Sequence, residues 1–247
     1  MRFFGLSFGT LSLEEAVACL RARPADAPFA YVVTPNADHL DRLRRQPSLR
    51  PAYEAAWLRL FDSRCLAHCA RLLGRAAPPV VTGADLAAAL LPHLAGARVA
   101  VIGMGEAAFA ALAARYPAIR FRHHNPPLGL RTGQPAFHQA VEFARRQDGG
   151  WVFFCVGSPL QEYLAQAVAQ AADAAGTGLC LGAALEFTAG TRRRAPLWMR
   201  RAGLEWLHRL ACEPRRLARR YLIAGPRVVL ALARGADASG LPPAPRA

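Results

Sequence analysis

WVFFCVGS (151–158) is a run of six apolar residues closed by Gly157 and Ser158. Its length and its aromatic and β-branched content favour a strand. Odd and even positions are both apolar, so the strand needs cover on both faces of its sheet. Working outward, FAYVVT (29–34), WLRLF (57–61), RVAVIGMG (98–105), IRFRHH (119–124) and GLCLGA (178–183) read the same way. Ala- and Leu-rich helical patterns separate them, among them 106–115, 136–147 and 160–175. This alternation predicts an α/β fold, a mostly parallel Rossmann-like sheet with helices on both faces. Ligands of such sheets sit beyond the carboxyl ends of the strands. The residues to inspect are therefore Thr34-Pro35-Asn36, Asp62, Gly103-Met104-Gly105, Gly157-Ser158-Pro159 and Gly182.

The chain has 247 residues and a net charge of +14, with every basic residue an arginine. That excess implies an anionic partner: nucleic acid, a membrane surface or a phosphorylated substrate. No apolar run reaches the roughly 18 residues of a membrane-spanning helix, and the N-terminus lacks signal-peptide features. Six dispersed cysteines without a CxxC pair read as reduced thiols in a cytosolic protein, and Cys65-His68-Cys69 has no second ligand pair at zinc spacing. No metal and no cofactor are expected.

Charge divides the chain near residue 190. The first 190 residues hold 18 Arg against 14 acidic residues, and residues 191–247 hold 13 against 3. The expected organisation is an α/β catalytic domain over 1–190, a basic amphipathic helical appendage over 191–230, and a disordered tail over 231–247. In the appendage, Arg215, Arg216 and Arg219 share one side of a helix that opens at Pro214. Trp198 and Trp206 add amphipathic aromatics of the membrane-interface kind.

Each strand end carries two readings. Asp62 is either a general base or the cap of the helix 64–73. Thr34 and Asn36 offer a hydroxyl and an amide to a ligand, or turn and capping chemistry. Gly103 and Gly105 match G-x-G-x-x-A between a strand and a helix, the context of a phosphate cradle. Glu106 puts negative charge at that point, and Arg122 follows where a 2′-phosphate would lie. Gln161 and Glu162 open the helix after WVFFCVGS; Gln161 can donate to a ligand, and Glu162 suits the positive end of the helix dipole.

In order, TPN, an Asp closing a strand, VTGADL, G-x-P-x-QE, LGAALEFTAG with RRAP, and GLEW followed by EPRR and RRYL resemble the WecG/TagA/CpsF family of bacterial glycosyltransferases. The resemblance runs from about Tyr31 to Leu222, and the combination of RAP, GLEW and EPRR is its specific part. It implies transfer of a sugar from a UDP-sugar to a saccharide on polyprenyl diphosphate, at the cytoplasmic membrane face, in cell-surface or exopolysaccharide synthesis. It places the catalytic base on Asp62, with substrate contacts at Thr34, Asn36 and Gln161. Its basic appendage falls on 191–222, which adds Arg194, Arg215, Arg216 and Arg219 to the binding set. Gly103 and Gly105 complete the candidates. A homo-oligomer is left open.

Two positions depart from the family pattern. Ser63 stands where the family has Gly after the Asp, and Val80 where it commonly has Arg before the hydrophobic-Thr-Gly triplet, here Val81-Thr82-Gly83. The chain has no Asp-x-Asp pair, so transfer is expected to be inverting and metal-independent. Two other classes compete. An NADP-dependent Rossmann oxidoreductase would rest on Gly103, Gly105 and Arg122. A nucleic-acid-binding protein would rest on the arginine-rich segment, but it leaves Asp62 and Gln161 unexplained; nucleic acid is not the expected partner.

Overall fold

The computed structural model describes residues 1–147 and 149–235. A hairpin of β1 (Arg2–Phe3) and β2 (Leu6–Ser7) precedes the main sheet. That sheet contains β3 (Ala30–Val33), β4 (Leu58–Arg59), β5 (Arg98–Gly103), β6 (Arg120–His124), β7 (Trp151–Cys155) and β8 (Thr177–Cys180). Its order is β4-β3-β8-β7-β5-β6 and every pairing is parallel. All six apolar runs are strands of this one sheet.

Alternating side chains on each strand enter two separate cores, as the period of two requires. Tyr31, Val33, Ile102, Val152 and Phe154 pack on one face, and Val32, Val99, Val101, Phe153 and Leu179 on the other. The first face is covered by helices that include Ala37–Arg45, Arg64–Leu72 and Leu160–Ala169; the second by Leu13–Ala22, Gly83–Leu90 and Ala184–Ala189.

The N-terminal hairpin is not evident from the sequence pattern. MRFFGLSF has no alternation long enough to score, and the hairpin is held by Phe3 and Phe8, whose rings meet Phe61 edge-on at 5.3 and 5.5 Å.

The segment after residue 190 folds back onto the sheet domain. Short helices Leu197–Arg201 and Glu205–Cys212 lead into one helical run from Pro214 to Ala233. Within it, residues 219–224 form a wider π-turn, in which the Gly225 amide donates to the Arg220 carbonyl five residues back. Pro226 has no N–H to offer the preceding turn, and a local widening of the helix accommodates it. Val228, Ala231 and Leu232, spaced i, i+3, i+4, are buried in the first core. The expected boundary at residue 231 therefore falls inside the helix Gly225–Ala233. The stretch 236–247, which carries the rest of the expected disordered tail, lies outside the described residues.

Gly203 shows how closely the appendage seats. Its φ is +74°, and a Cβ there would approach the Cys65 amide at 3.2 Å and His68 Nδ1 at 2.9 Å. Only glycine suits both the left-handed backbone and the contact. The glycine of GLEW is where the appendage backbone meets the helix Arg64–Leu72.

Candidate active site

A cavity of about 1190 Å³ lies beyond the carboxyl ends of β3, β4, β7 and β8, roofed by the appendage. Thr34, Asn36, Asp62 and Gln161 all line it, although they follow three different strands. Arg192, Arg200, Arg209, Arg216 and Arg220 line it from the appendage.

Asp62 directly follows Phe61, which bridges Val80 in parallel and so extends the β4 edge. Its amide donates to the Pro35 carbonyl at 3.0 Å. It does not cap the next helix. Ser63 does, accepting from the Leu66 amide at 3.3 Å. Ser63 has φ −153°, an extended conformation open to any residue, so glycine is not required there. Asp62 instead accepts the Gly83 amide on Oδ2 at 3.2 Å. A Cβ on Gly83 would lie 3.0 Å from Thr34 Oγ1 and 3.8 Å from Asp62 Oδ2. Glycine thus lets this backbone amide reach the carboxylate. Burial pushes the Asp62 carboxyl up to about 7, against the pull of the Gly83 amide.

Thr34 hydroxyl lies 3.4 Å from the Cys180 carbonyl, across from β8. Asn36 caps the helix Ala37–Arg45 through Oδ1, which accepts from Asp38 and His39 amides. Its side-chain NH2 remains to donate into the cavity. Gln161 is committed on both atoms: Oε1 accepts from the Gly182 amide and Nε2 donates to Glu162, each at 2.9 Å. It ties the turn after β8 to the helix after β7. Glu162 is fully buried, its carboxyl raised by desolvation, and its Oε2 has no partner among the described residues.

The arginines sort differently from the sequence expectation. Arg216 and Arg220, four residues apart on one helix face, line the cavity together with Arg209 from the preceding helix. Arg215 and Arg219 are exposed and outside its lining. The Nε atoms of Arg200, Arg209 and Arg220 are buried without a hydrogen-bond partner among the described residues. Arg220 Nε stands 3.7 Å from Asp38 Oδ2, an ion pair beyond hydrogen-bond reach, and buried donors left without a hydrogen bond favour an anion. Arg194 lies outside the lining as well. It donates to Asp85 Oδ1 at 2.6 Å, to Glu205 at 3.3 Å and to Thr82 Oγ1 at 3.3 Å. Arg64 meets the other Asp85 oxygen at 2.6 Å, and Arg200 stands 3.7 Å away. Burial opposes ionisation of Asp85, but hydrogen bonds from Arg194 and Arg64 outweigh it and hold the carboxyl at about 2. Glu213 of EPRR similarly joins Arg192 at 2.8 Å and Arg216 at 2.5 Å. Arg194 of RAP and Gly203 of GLEW thus make the joint between the appendage and the sheet domain, while Glu213 of EPRR ties appendage residues to one another.

Gly103 and Gly105 also lie outside the cavity lining. A Cβ on Gly103 would meet Val156 at 2.7 Å, so that glycine serves packing between β5 and β7. His123 Nε2 lies 3.0 Å from the Gly103 and Met104 carbonyls, and His123 Nδ1 3.3 Å from Glu106. Arg122 sits over the Phe143 ring and donates to the Arg146 carbonyl. The turn thus carries the His123 ring and the Glu106 carboxylate beside it, while a Cβ on Gly105 would meet open space. Val80, in the position where the resemblance leads one to expect Arg, packs on the first core and is not part of the lining.

The model of the glycosyl transferase WecG/TagA/CpsF family matches residues 1–238. The chain belongs to this family. A curated relative is the N-acetylglucosaminyldiphosphoundecaprenol N-acetyl-beta-D-mannosaminyltransferase of Staphylococcus aureus (strain MRSA252), 29% identical over 116 residues. That alignment spans 47% of this chain and 43% of the relative, less than half of either. Membership in this glycosyltransferase family sets aside the oxidoreductase reading, which had rested on Gly103, Gly105 and Arg122.

Proposed function

We propose that this chain transfers a sugar from a UDP-sugar to a saccharide on polyprenyl diphosphate, with inversion and without a metal ion. The observation that carries the proposal is the sharing of one cavity by Asp62 and the arginines Arg209, Arg216 and Arg220. Asp62 takes the proton of the acceptor hydroxyl as that oxygen forms its bond to the anomeric carbon. The bond from that carbon to the diphosphate breaks on the opposite side, and UDP leaves. Its charge is balanced by the guanidiniums in place of a metal ion. A carboxyl near 7 is matched to general-base work at neutral pH. Thr34 and the Asn36 NH2 orient the donor, and Gln161 holds the Gly182 turn.

The relative from S. aureus is named for a lipid-linked diphosphate acceptor, which supports the same acceptor class here. No helix among the described residues is long and apolar enough to cross a membrane. The proposed placement is peripheral, on the cytoplasmic face, with 1–190 as the catalytic unit and the appendage as its roof and membrane contact. The product belongs to cell-wall or exopolysaccharide synthesis. The test is a screen of UDP-sugars against a synthetic polyprenyl-diphosphate monosaccharide, read as UDP release and repeated with a chelator. Turnover of at least one donor, unaffected by the chelator, is expected. No UDP release with any donor would defeat the reading.

A further inference from the structure

A second cleft, of about 450 Å³, lies between the helices Ala37–Arg45 and Gly225–Ala233. Arg44, Arg45, Arg227 and Arg234 line it, with Asp41 and Leu230. Asp41 is the one acid in that lining among the described residues, and it is held by Arg45 at 2.8 Å. Arg44, Arg227 and Arg234 make no ion pair or side-chain hydrogen bond with a described residue. Three guanidiniums around one concavity, unpaired among the described residues, repel each other unless an anion joins them.

The surroundings say which anion. Leu230 is half exposed and lines both this cleft and the large cavity. Leu72 and Leu73 continue the exposed apolar rim on the cavity side, and Leu222 and Ile223 lie exposed earlier in the same helical run. A free phosphate would use the arginines and leave this rim bare. A phosphodiester with acyl chains attached uses both.

We infer that the cleft binds the headgroup of an anionic phospholipid, setting the protein on the bilayer beside the mouth of the large cavity. Choosing lipid over free phosphate leans on the lipid-linked acceptor proposed above. The test reads vesicle binding, so it succeeds or fails independently of turnover.

Full-length protein is sedimented with vesicles of phosphatidylcholine alone and with an equimolar mixture of phosphatidylcholine and phosphatidylglycerol. The wild type should bind the mixture only. Replacing Arg44, Arg227 and Arg234 by Gln together should weaken that binding on the order of a hundredfold, at about fivefold for each arginine near an anionic surface. A second triple variant, Arg2→Gln, Arg21→Gln and Arg120→Gln, removes the same charge from exposed positions outside the cleft and should bind nearly as the wild type. Should the cleft variant melt early, the single Arg227→Glu, on an exposed side chain, serves in its place. Equal losses in the two triple variants, or no loss in the cleft variant, would overturn the inference. Release of the wild type by inorganic phosphate, beyond the effect of chloride at matched ionic strength, would also overturn it by showing a free-phosphate site.

Discussion

Arg194 donates to Asp85 at 2.6 Å, and this contact joins the segment after residue 190 to the helix that begins at Gly83. The same helix start supplies the amide that holds Asp62. The appendage and the proposed base are therefore two steps apart through one turn of backbone. Asp85→Asn should loosen the appendage, since Arg194, Arg64 and Arg200 lose their shared partner. Cleavage by an arginine-specific protease near residues 192–194 should accelerate. The double variant with Arg194→Gln should be non-additive, with a coupling of about 0.5–3 kcal/mol. Strict additivity would show that the pair does not act together.

Gly83→Ala puts a methyl 3.0 Å from the Thr34 hydroxyl and close to Asp62. The expected result is a folded protein with reduced turnover and a shifted pH profile, because the amide contact to Asp62 lengthens. Crystal structures or pH–rate profiles indistinguishable from wild type would remove the amide from the account.

Arg209, Arg216 and Arg220, changed singly to Gln, should each slow UDP release by roughly a hundredfold to a thousandfold, the range for loss of one charge-stabilising donor. Arg215→Gln and Arg219→Gln should change it little at saturating soluble acceptor. A reversed ranking would mean that the helical run from Pro214 to Ala233 presents a different face during transfer.

Leu232→Ala removes a fully buried side chain from the appendage's last helix. The cost should be about 2–5 kcal/mol, read from denaturant unfolding. A negligible cost would show that the helix is not seated on the first core.

Much of the fold was legible because the β3, β5, β7 and β8 strands are near-continuous apolar runs, which parallel sheets with two covered faces require. The candidate site was legible as far as it lies at strand ends, as Thr34, Asn36, Asp62 and Gln161 do. The arginines were not. A helical wheel fixes spacing but not which face meets the domain, and Arg216 with Arg220 faces the cavity where Arg215 and Arg219 do not. Asp85 could not be singled out, since its partners come from positions 64, 194 and 200 and meet only in three dimensions. The Gly83 contribution is a backbone amide, which no side-chain pattern reveals.

The Asp62 carboxyl, raised from 3.8 to about 7 by burial, fixes the sign of a stability effect. The unfolded chain gives up this proton first, so the group's cost grows as pH rises from about 4 through 7 and is then complete. Asp62→Asn should therefore melt higher than wild type at pH 8 and close to it at pH 4. Equal melting differences at both ends would place the carboxyl in solvent.

The most direct measurement is UDP release by wild type and Asp62→Asn across pH, on one donor and acceptor pair. Wild-type turnover should rise through an apparent pKa of about 7 and level off above it. The variant should be slower by roughly 10²–10⁴ and lack that rise, while binding the donor as the wild type does. Near wild-type turnover in the variant, with the rise intact, would contradict the account, because the proton would then be going to another group.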